Sequence, residues 1–299
     1  MAMPSKQPEL VLLDTDIGDD IDDAFALALT LRAPEMRLLG ISTTYGDTEL
    51  RARLLDRFLG AVGRRDLQVA AGVATPHDNV LTQAAYARQA QQRRHAEAVA
   101  FLLNQIHTHP GQVTLIAIGP LFNIQAAIAR NPAVFRQLKR VVLMGGSVSR
   151  GYDDEKTGAH RPLDAEWNIR CDPAGAKALL AVGVPVFMMP LDATQIHLDA
   201  ASQAAIYSFG SPLADQLTLL YHQWSGAGAP KTPTLFDLVP VAYALQPELC
   251  PTRPMHLEVD EKGFTRSGEG APNVQVCLQP DEHGILDLLL NRITKETAH

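Results

Sequence analysis

Three patterns predict an α/β fold with a mainly parallel central sheet and helices on both faces. Short apolar runs alternate with stretches of helical periodicity along most of the chain. These runs are nearly all apolar rather than alternating, as in strands buried on both sides. Polar residues suited to chemistry follow them: Asp14 and Asp16, residues 45–47, 119–123 and 144–147, and Asp192. Ligands of open α/β sheets bind beyond the carboxyl ends of the strands, so these segments are expected to meet at one cleft.

The first run, ELVLLDTD (9–16), reads as a buried strand ending in aspartates. Helical spacing begins at Asp22, with Ala24, Leu27, Ala28 and Leu31 at i, i+3, i+4 and i+7, and Pro34 stops it. A strand over 36–46, a helix over 49–62 and a strand over 67–73 follow. Residues 74–93 have weak periodicity and read as a loop or lid. Next come a helix over 94–107, a strand over 113–119 and, after Pro120, a helix near 121–130. The strand 140–147 opens onto a polar stretch, 148–168, long enough to be functional or mobile. A helix over 172–182 leads to the strand 184–191, and helices fill 200–225 and 236–245. MHLEVD (255–260) and NVQVCLQ (273–279) suggest a late hairpin, and 284–294 a closing helix.

With 299 residues, 46% apolar and 20% charged, one domain over 1–299 with a sizeable core is expected. The net charge of −7 attracts neither phosphate backbones nor anionic lipid. The expected partner is a small molecule or a cation, with no nucleic acid and no membrane. No apolar run reaches the ~20 residues of a spanning helix. Cys171, Cys250 and Cys277 are far apart and form no CxxC pair. That argues against a disulfide framework or structural zinc and for a reducing cytoplasm. The opening MAMPSKQPEL has no apolar signal-peptide core.

The stretch LLDTDIGDDIDDAFALAL (12–29) holds six aspartates between Asp14 and Asp23. Helix capping accounts for one to three of them, at roughly 0.3–1 kcal/mol each. It does not account for six, because like charges a few ångströms apart repel and burial adds to the cost. A hard cation resolves the conflict: Ca²⁺ or Mg²⁺ takes carboxylate oxygens, and no His or Cys here suits zinc. An EF-hand loop fails, since Gly18 falls at position 5 from Asp14 and Phe25 at position 12. A DxDxT phosphotransferase would need Thr where Gly18 stands, and it leaves the second aspartate pair unexplained.

DTDIGDDIDDAFAL resembles the N-terminal signature of the nucleoside hydrolase family, inosine–uridine-preferring type, in which D-x-D-x-G precedes D-D-A at a helix start. Five further segments resemble family motifs in family order across residues 11–245: TTYGD (43–47), IGPLFNI (118–124), VVLMGG (141–146), EWNIRCDPAGA (166–176) and FDLVPVAY (236–243).

The resemblance implies Ca²⁺-dependent hydrolysis of the N-glycosidic bond of a ribonucleoside, giving free base and ribose. It puts the ion on Asp16, Asp23, the Ile118 carbonyl and Asp237, holding the attacking water and the ribose diol. Asp22, first of the D-D-A pair, becomes the general base. The loop from Asp16 to Asp22 is two residues longer than the family pattern, and the excess is Asp19 and Asp20. Alignment rests on IDDA, where the helix phase starts, and Asp20 stays a rival for base or ligand. For the substrate, the resemblance implies Asp47, Met144 beneath the sugar, and Glu166 with Asn168 on the diol and 5′ end. Asn123 is expected as a helix-start hydrogen bonder, and Asp14 is expected to fix backbone N–H groups or to support the ligands from behind. His160 stands where the family has a loop Asn six residues before the Glu, a departure at the 5′ contact. Phe236 stands where many members carry the His that protonates the departing base. Either this ring stacks on the base, or another donor reaches it: His77, His95, Tyr221, His222 or Trp224. A homodimer or homotetramer is also implied. Two alternatives remain: an N-glycosidase for a modified or non-standard nucleoside, and a cation-dependent nucleoside- or ribose-binding protein without turnover.

Overall fold

The computed structural model describes residues 7–76, 81–91, 93–154, 157–228 and 231–295. Its centre is β1 (Glu9–Thr15), which pairs in parallel with β2 (Met36–Thr43) on one side. Helix α1 (Asp22–Leu31) joins them, and α2 (Thr48–Ala61) leads on to β3 (Val69–Ala71). Within 74–93 lies a short helix, α3 (Ala84–Arg88), before the edge strand β4 (Ala96–Glu97). The helix expected from 94 starts at α4 (Ala98–Thr108), because Glu97 accepts from the Val99 and Ala100 N–H groups as its cap. The chain then crosses back: β5 (Val113–Ala117) pairs with the other side of β1. There follow α5 (Phe122–Arg130), α6 (Pro132–Phe135), β6 (Arg140–Met144), α7 (Trp167–Cys171), α8 (Pro173–Ala181) and β7 (Val186–Met189). The last part holds α9 (Leu191–Thr194), α10 (Ala200–Tyr207), α11 (Pro212–Ser225) and α12 (Leu238–Leu245). Four short strands, β8 (Thr252–Met255), β9 (Leu257–Val259), β10 (Thr265–Ser267) and β11 (Val274–Cys277), precede α13 (Glu282–Ile293).

The large sheet runs β4-β3-β2-β1-β5-β6-β7-β11-β8 and is parallel except for β8. Both faces are covered, and β1 shows why its run is unbroken. Val11 and Leu13 enter one apolar core, with α1, α12 and α13; Leu12 enters the other, with α4, α5 and α8. Asp14 shares the phase of Leu12 and so points towards α5, where Asn123 waits.

The late hairpin is corrected. Strand β11 lies parallel beside β7 and takes β8 as its antiparallel neighbour, while β9 pairs with β10 in a separate ribbon. Segment 252–255 hides its strand character behind Pro254, which is tolerated because β8 is the sheet edge.

Candidate active site

Strand order reverses between β1 and β5, the point where the chain's two halves leave the sheet in opposite directions. Beyond the carboxyl ends of these strands lies a cavity of about 390 Å³. Asp16, Asp22, Asp23, Ile118, Met144, Glu166, Asn168, Phe236 and Asp237 line it together, with Asp19, Asp20, Tyr152, Trp167 and Trp224. Seven of these side chains are acidic (Asp16, Asp19, Asp20, Asp22, Asp23, Glu166 and Asp237), and no lysine, arginine or histidine is among them.

Two helix starts build the acidic floor. The α1 cap position is Ile21, without a side-chain cap, so Asp22 and Asp23 are not capping residues. Both α1 and α12 are apolar and buried almost all round, and they pack on each other. Their N-termini therefore arrive side by side, bringing Asp237 against Asp22, whose Oδ2 accepts from the Asp237 N–H at 3.2 Å. Asp22, Asp23 and Asp237 offer oxygens that all lie within 4.8 Å of one another, and all three are buried. The positive ends of two helix dipoles offset only part of that charge. Thr15 donates its hydroxyl to Asp23 and supports the group from β1. Asp16 lies across the cavity floor, its carboxylate packed against Gly119.

The extra loop residues have distinct positions. Arg51 of α2 is fully buried; its Nη1 donates to the carbonyls of Asp16 and of Ile17 (3.0 Å), and its Nε to that of Tyr45 at 2.8 Å. Its Nη2 pairs with Asp19 Oδ2 at 2.6 Å. Asp19 is thus the counter-charge of a buried arginine. Asp20 turns the other way, onto the cavity rim, where its Oδ1 accepts from the Ile21 N–H at 2.7 Å. Gly18 makes the turn possible: its φ is +125°, and a Cβ there would press on Leu81 at 3.1 Å. Residues expected as loop or lid brace this turn from outside, with Gln83 donating from its amide to Asp20 O at 2.8 Å and from its backbone to Gly18 O at 3.0 Å. Sequence reading missed Arg51, although a signal was present. It falls on the buried stripe of α2, one helical turn before Leu54 and Leu55.

The opposite wall comes from the long loop after β6. Glu166 caps α7: Oε1 accepts from Asn168 N at 2.8 Å, and Oε2 from Gly146 N at 3.0 Å and Ile169 N at 3.1 Å. Asn168 donates its amide to Met144 O at 3.2 Å and contacts Met144 Sδ at 3.4 Å. The following Asp172–Pro173 pair is a helix start, with Asp172 accepting from Gly175 N at 2.8 Å. Asp192 and Gln195 anchor the beginning of the loop through Val148 N, Ser149 N and Asp153 N. Tyr152, Phe236 and Trp224 form an aromatic neck, with the Tyr152 and Phe236 rings edge-to-face at 6.0 Å. These three and Asp20 also line an outer chamber of about 1030 Å³.

Asp14 and Asn123 sit behind the cavity. Asp14 Oδ1 accepts from Ser42 Oγ at 2.5 Å and Asn123 Nδ2 at 2.7 Å, rather than from backbone N–H groups. Asn123 also accepts from Val73 N at 2.8 Å, which ties three strand ends together. Several sequence candidates are not brought to the cavity. Asp47 is exposed and caps α2, accepting from Leu50 N at 3.0 Å, because the chain turns outward there. His160 is exposed and pairs with Asp153 at 2.8 Å. His222 is exposed on α11. His95 is buried elsewhere, between Glu49 at 2.7 Å and Asp56 at 2.9 Å. Tyr221 donates to Lys231 O at 2.9 Å. Of the proposed donors only Trp224 lines the cavity, and His77 lies outside the described residues.

Burial dominates the electrostatics. It pushes Asp16 and Glu166 each up to about 7 and Asp14 to about 6. Asp22, Asp23 and Asp237 are raised well above their ordinary range by burial first and by one another second. Such a cluster fits a hard divalent cation: all donors are oxygen, three are within reach of one ion, and no basic side chain among the described residues lines the cavity. The sign of the linkage is definite. Folded carboxyls with raised pKa hold protons that the unfolded chain has lost. The metal-free protein therefore loses stability as pH rises from the ordinary value of 3.8 towards the folded values near 7. Chelated protein should melt at a higher temperature at pH 5 than at pH 8, and a divalent cation should stabilise it more at pH 8. His95, raised by Asp56 first, adds a slope of the same sign that metal does not alter. Thermal melts with and without chelator measure the difference; equal cation effects at both pH values contradict the linkage.

This is the fold of the nucleoside hydrolases. A plant nucleoside hydrolase, PpNRh1, superposes with a TM-score of 0.83 at 22% identity, covering 97% of this chain and 100% of that one. A purine-preferring ribonucleoside hydrolase from Gardnerella vaginalis gives 0.80 at 24%, covering 96% and 98%. The chain belongs to the inosine–uridine preferring nucleoside hydrolase family, whose sequence pattern matches residues 11–287, and it is an N-ribohydrolase. The pyrimidine-specific ribonucleoside hydrolase RihA of Citrobacter koseri is 30% identical over 98% of both chains. RihA of an Enterobacter species is also 30% identical, over 99% of both.

Proposed function

We propose that this enzyme is a Ca²⁺-dependent hydrolase that splits ribonucleosides into free base and ribose, with Asp22 as general base. The carrying observation is the buried carboxylate group Asp22, Asp23 and Asp237 on the cavity floor. Asp16, Asp23, Asp237 and the Ile118 carbonyl would hold the ion. When bound, it would acidify a water and hold the ribose diol. Asp22 sits among these groups with no cationic partner among the described residues, so as a carboxylate beside the ion it is free to accept a proton. It takes the water's proton as the oxygen adds to C1′, and the C1′–N bond breaks with its electron pair leaving on the base. Glu166, fixed by three backbone N–H groups, and Asn168 face the sugar, with Met144 beneath it. Phe236, Tyr152 and Trp224 receive the base by stacking. The described lining offers the departing base no imidazole.

The names of the Citrobacter and Enterobacter relatives make uridine and cytidine the first substrates to test, followed by inosine, adenosine and guanosine. Ribose release should require Ca²⁺ and stop on chelation. Metal binding with no release from any of these nucleosides would overturn this reading and leave the modified-nucleoside and binding-protein alternatives. The outer chamber beyond Phe236 supports a second reading, in which the base carries an added group; larger-base nucleosides in the same panel test it. A cytoplasmic homodimer or homotetramer serving salvage of bases completes the proposal.

A further inference from the structure

The phenol of Tyr152 is a donor awaiting an acceptor. Its oxygen accepts from the Trp167 N–H at 2.9 Å, which fixes where the hydroxyl sits. Among the described residues the hydroxyl makes no other hydrogen bond, and its O–H donates to no protein acceptor. A cavity-lining donor without a protein partner is met by water in the free enzyme and is available to a polar atom of a ligand that displaces that water. Tyr152 also lines the cavity, and Trp167 stands between Glu166 and Asn168, the polar wall assigned above to the sugar. The ring lies edge-to-face with Phe236 at the neck, while the hydroxyl reaches the Trp167 N–H between Glu166 and Asn168, on the wall assigned to the sugar. His160, the sequence's candidate for a contact here, is turned away onto Asp153.

We propose that Tyr152 is a substrate-positioning residue that donates a hydrogen bond to the 5′ oxygen of the ribose. The inference rests on the ribonucleoside reading of this cavity. Burial also raises the phenol above its ordinary range, so the hydroxyl keeps its proton across the working pH range and serves as a donor, not an acid. The contact exists before and during bond breaking alike. Its loss should therefore raise KM and leave kcat nearly unchanged.

The test is a cycle between one substitution and one substrate change. Wild type and Tyr152→Phe are compared on uridine and on 5′-deoxyuridine. On uridine the variant should lose about tenfold in kcat/KM, nearly all in KM. On 5′-deoxyuridine the two proteins should agree within about twofold, because the acceptor is already gone. Any general damage from leaving the Trp167 N–H unpaired appears on both substrates and cancels. Equal losses on both, or no loss on uridine, overturn the proposal. A loss on uridine that sits in kcat also overturns it. If the variant does not fold, the wild type decides: turnover of 5′-deoxyuridine as good as that of uridine refutes the contact. Failure of the functional reading is separable, since it shows as wild type inactive on every nucleoside. Calorimetric titration of the Ca²⁺-loaded proteins with ribose and 5-deoxyribose then asks the same question without turnover, and equal affinities in both proteins refute the contact.

Discussion

Asp22→Asn should lower kcat by ~100- to 10,000-fold while the protein still binds Ca²⁺, because it removes a general base and keeps the shape of the side chain. Direct titration of the ion into the variant, beside a ribose-release assay, gives both quantities. The structure makes the control demanding, since Asp22 lies as close to Asp23 and Asp237 as a third ligand would. If ion affinity falls in step with kcat, Asp22 is a ligand and the division of roles is wrong. Asp20→Asn is the companion variant. On the rim, bonded to its own neighbour's N–H, Asp20 should matter little to turnover. Abolished turnover in Asp20→Asn with an active Asp22→Asn would shift the alignment of the loop by two residues.

Arg51→Met should destabilise the fold by about 3–5 kcal/mol, the usual result of breaking a buried pair from one side. The guanidinium is fully enclosed and serves three carbonyls as well as Asp19, so the change orphans several acceptors at once. Urea unfolding of the chelated proteins is the measurement. Asp19→Asn should cost much less, because Asp19 is partly exposed and an amide can still accept from Arg51. A loss below about 1 kcal/mol for Arg51→Met would mean that water replaces it and that the loop does not depend on it. Ion affinity should fall with Arg51→Met as well, since the carbonyls it holds belong to Asp16 and Ile17, beside the proposed ligand set.

Much of this site was legible because its elements announce themselves locally. A run such as ELVLLDTD, apolar on both phases, has to be covered on both faces, and Leu12 and Leu13 do enter opposite cores. Asp22 opens α1 where helical spacing begins, and Pro34 lies beyond its end. The late strands were not legible for the opposite reason. Segment 252–255 carries Pro254 and exposed side chains, so only its place at the sheet edge makes it a strand. Asp47 was not decidable locally, because an aspartate before a helix serves equally as cap or ligand; here it caps α2 and does not line the cavity.

What the sequence determined by itself was the fold class, the family and the residues of the acidic floor, since each is written in local periodicity or in contiguous motifs. What only the tertiary structure decided was the pairing of charges. Asp19 and Asp20 are adjacent in sequence, yet one is neutralised by Arg51, 32 residues away, and the other faces the cavity rim. Asp22 meets Asp237 across 215 residues because two buried helices pack with their starts together. A carboxylate's role depends on what lies within a few ångströms of it, and in this chain those neighbours are set by packing rather than by order along the chain.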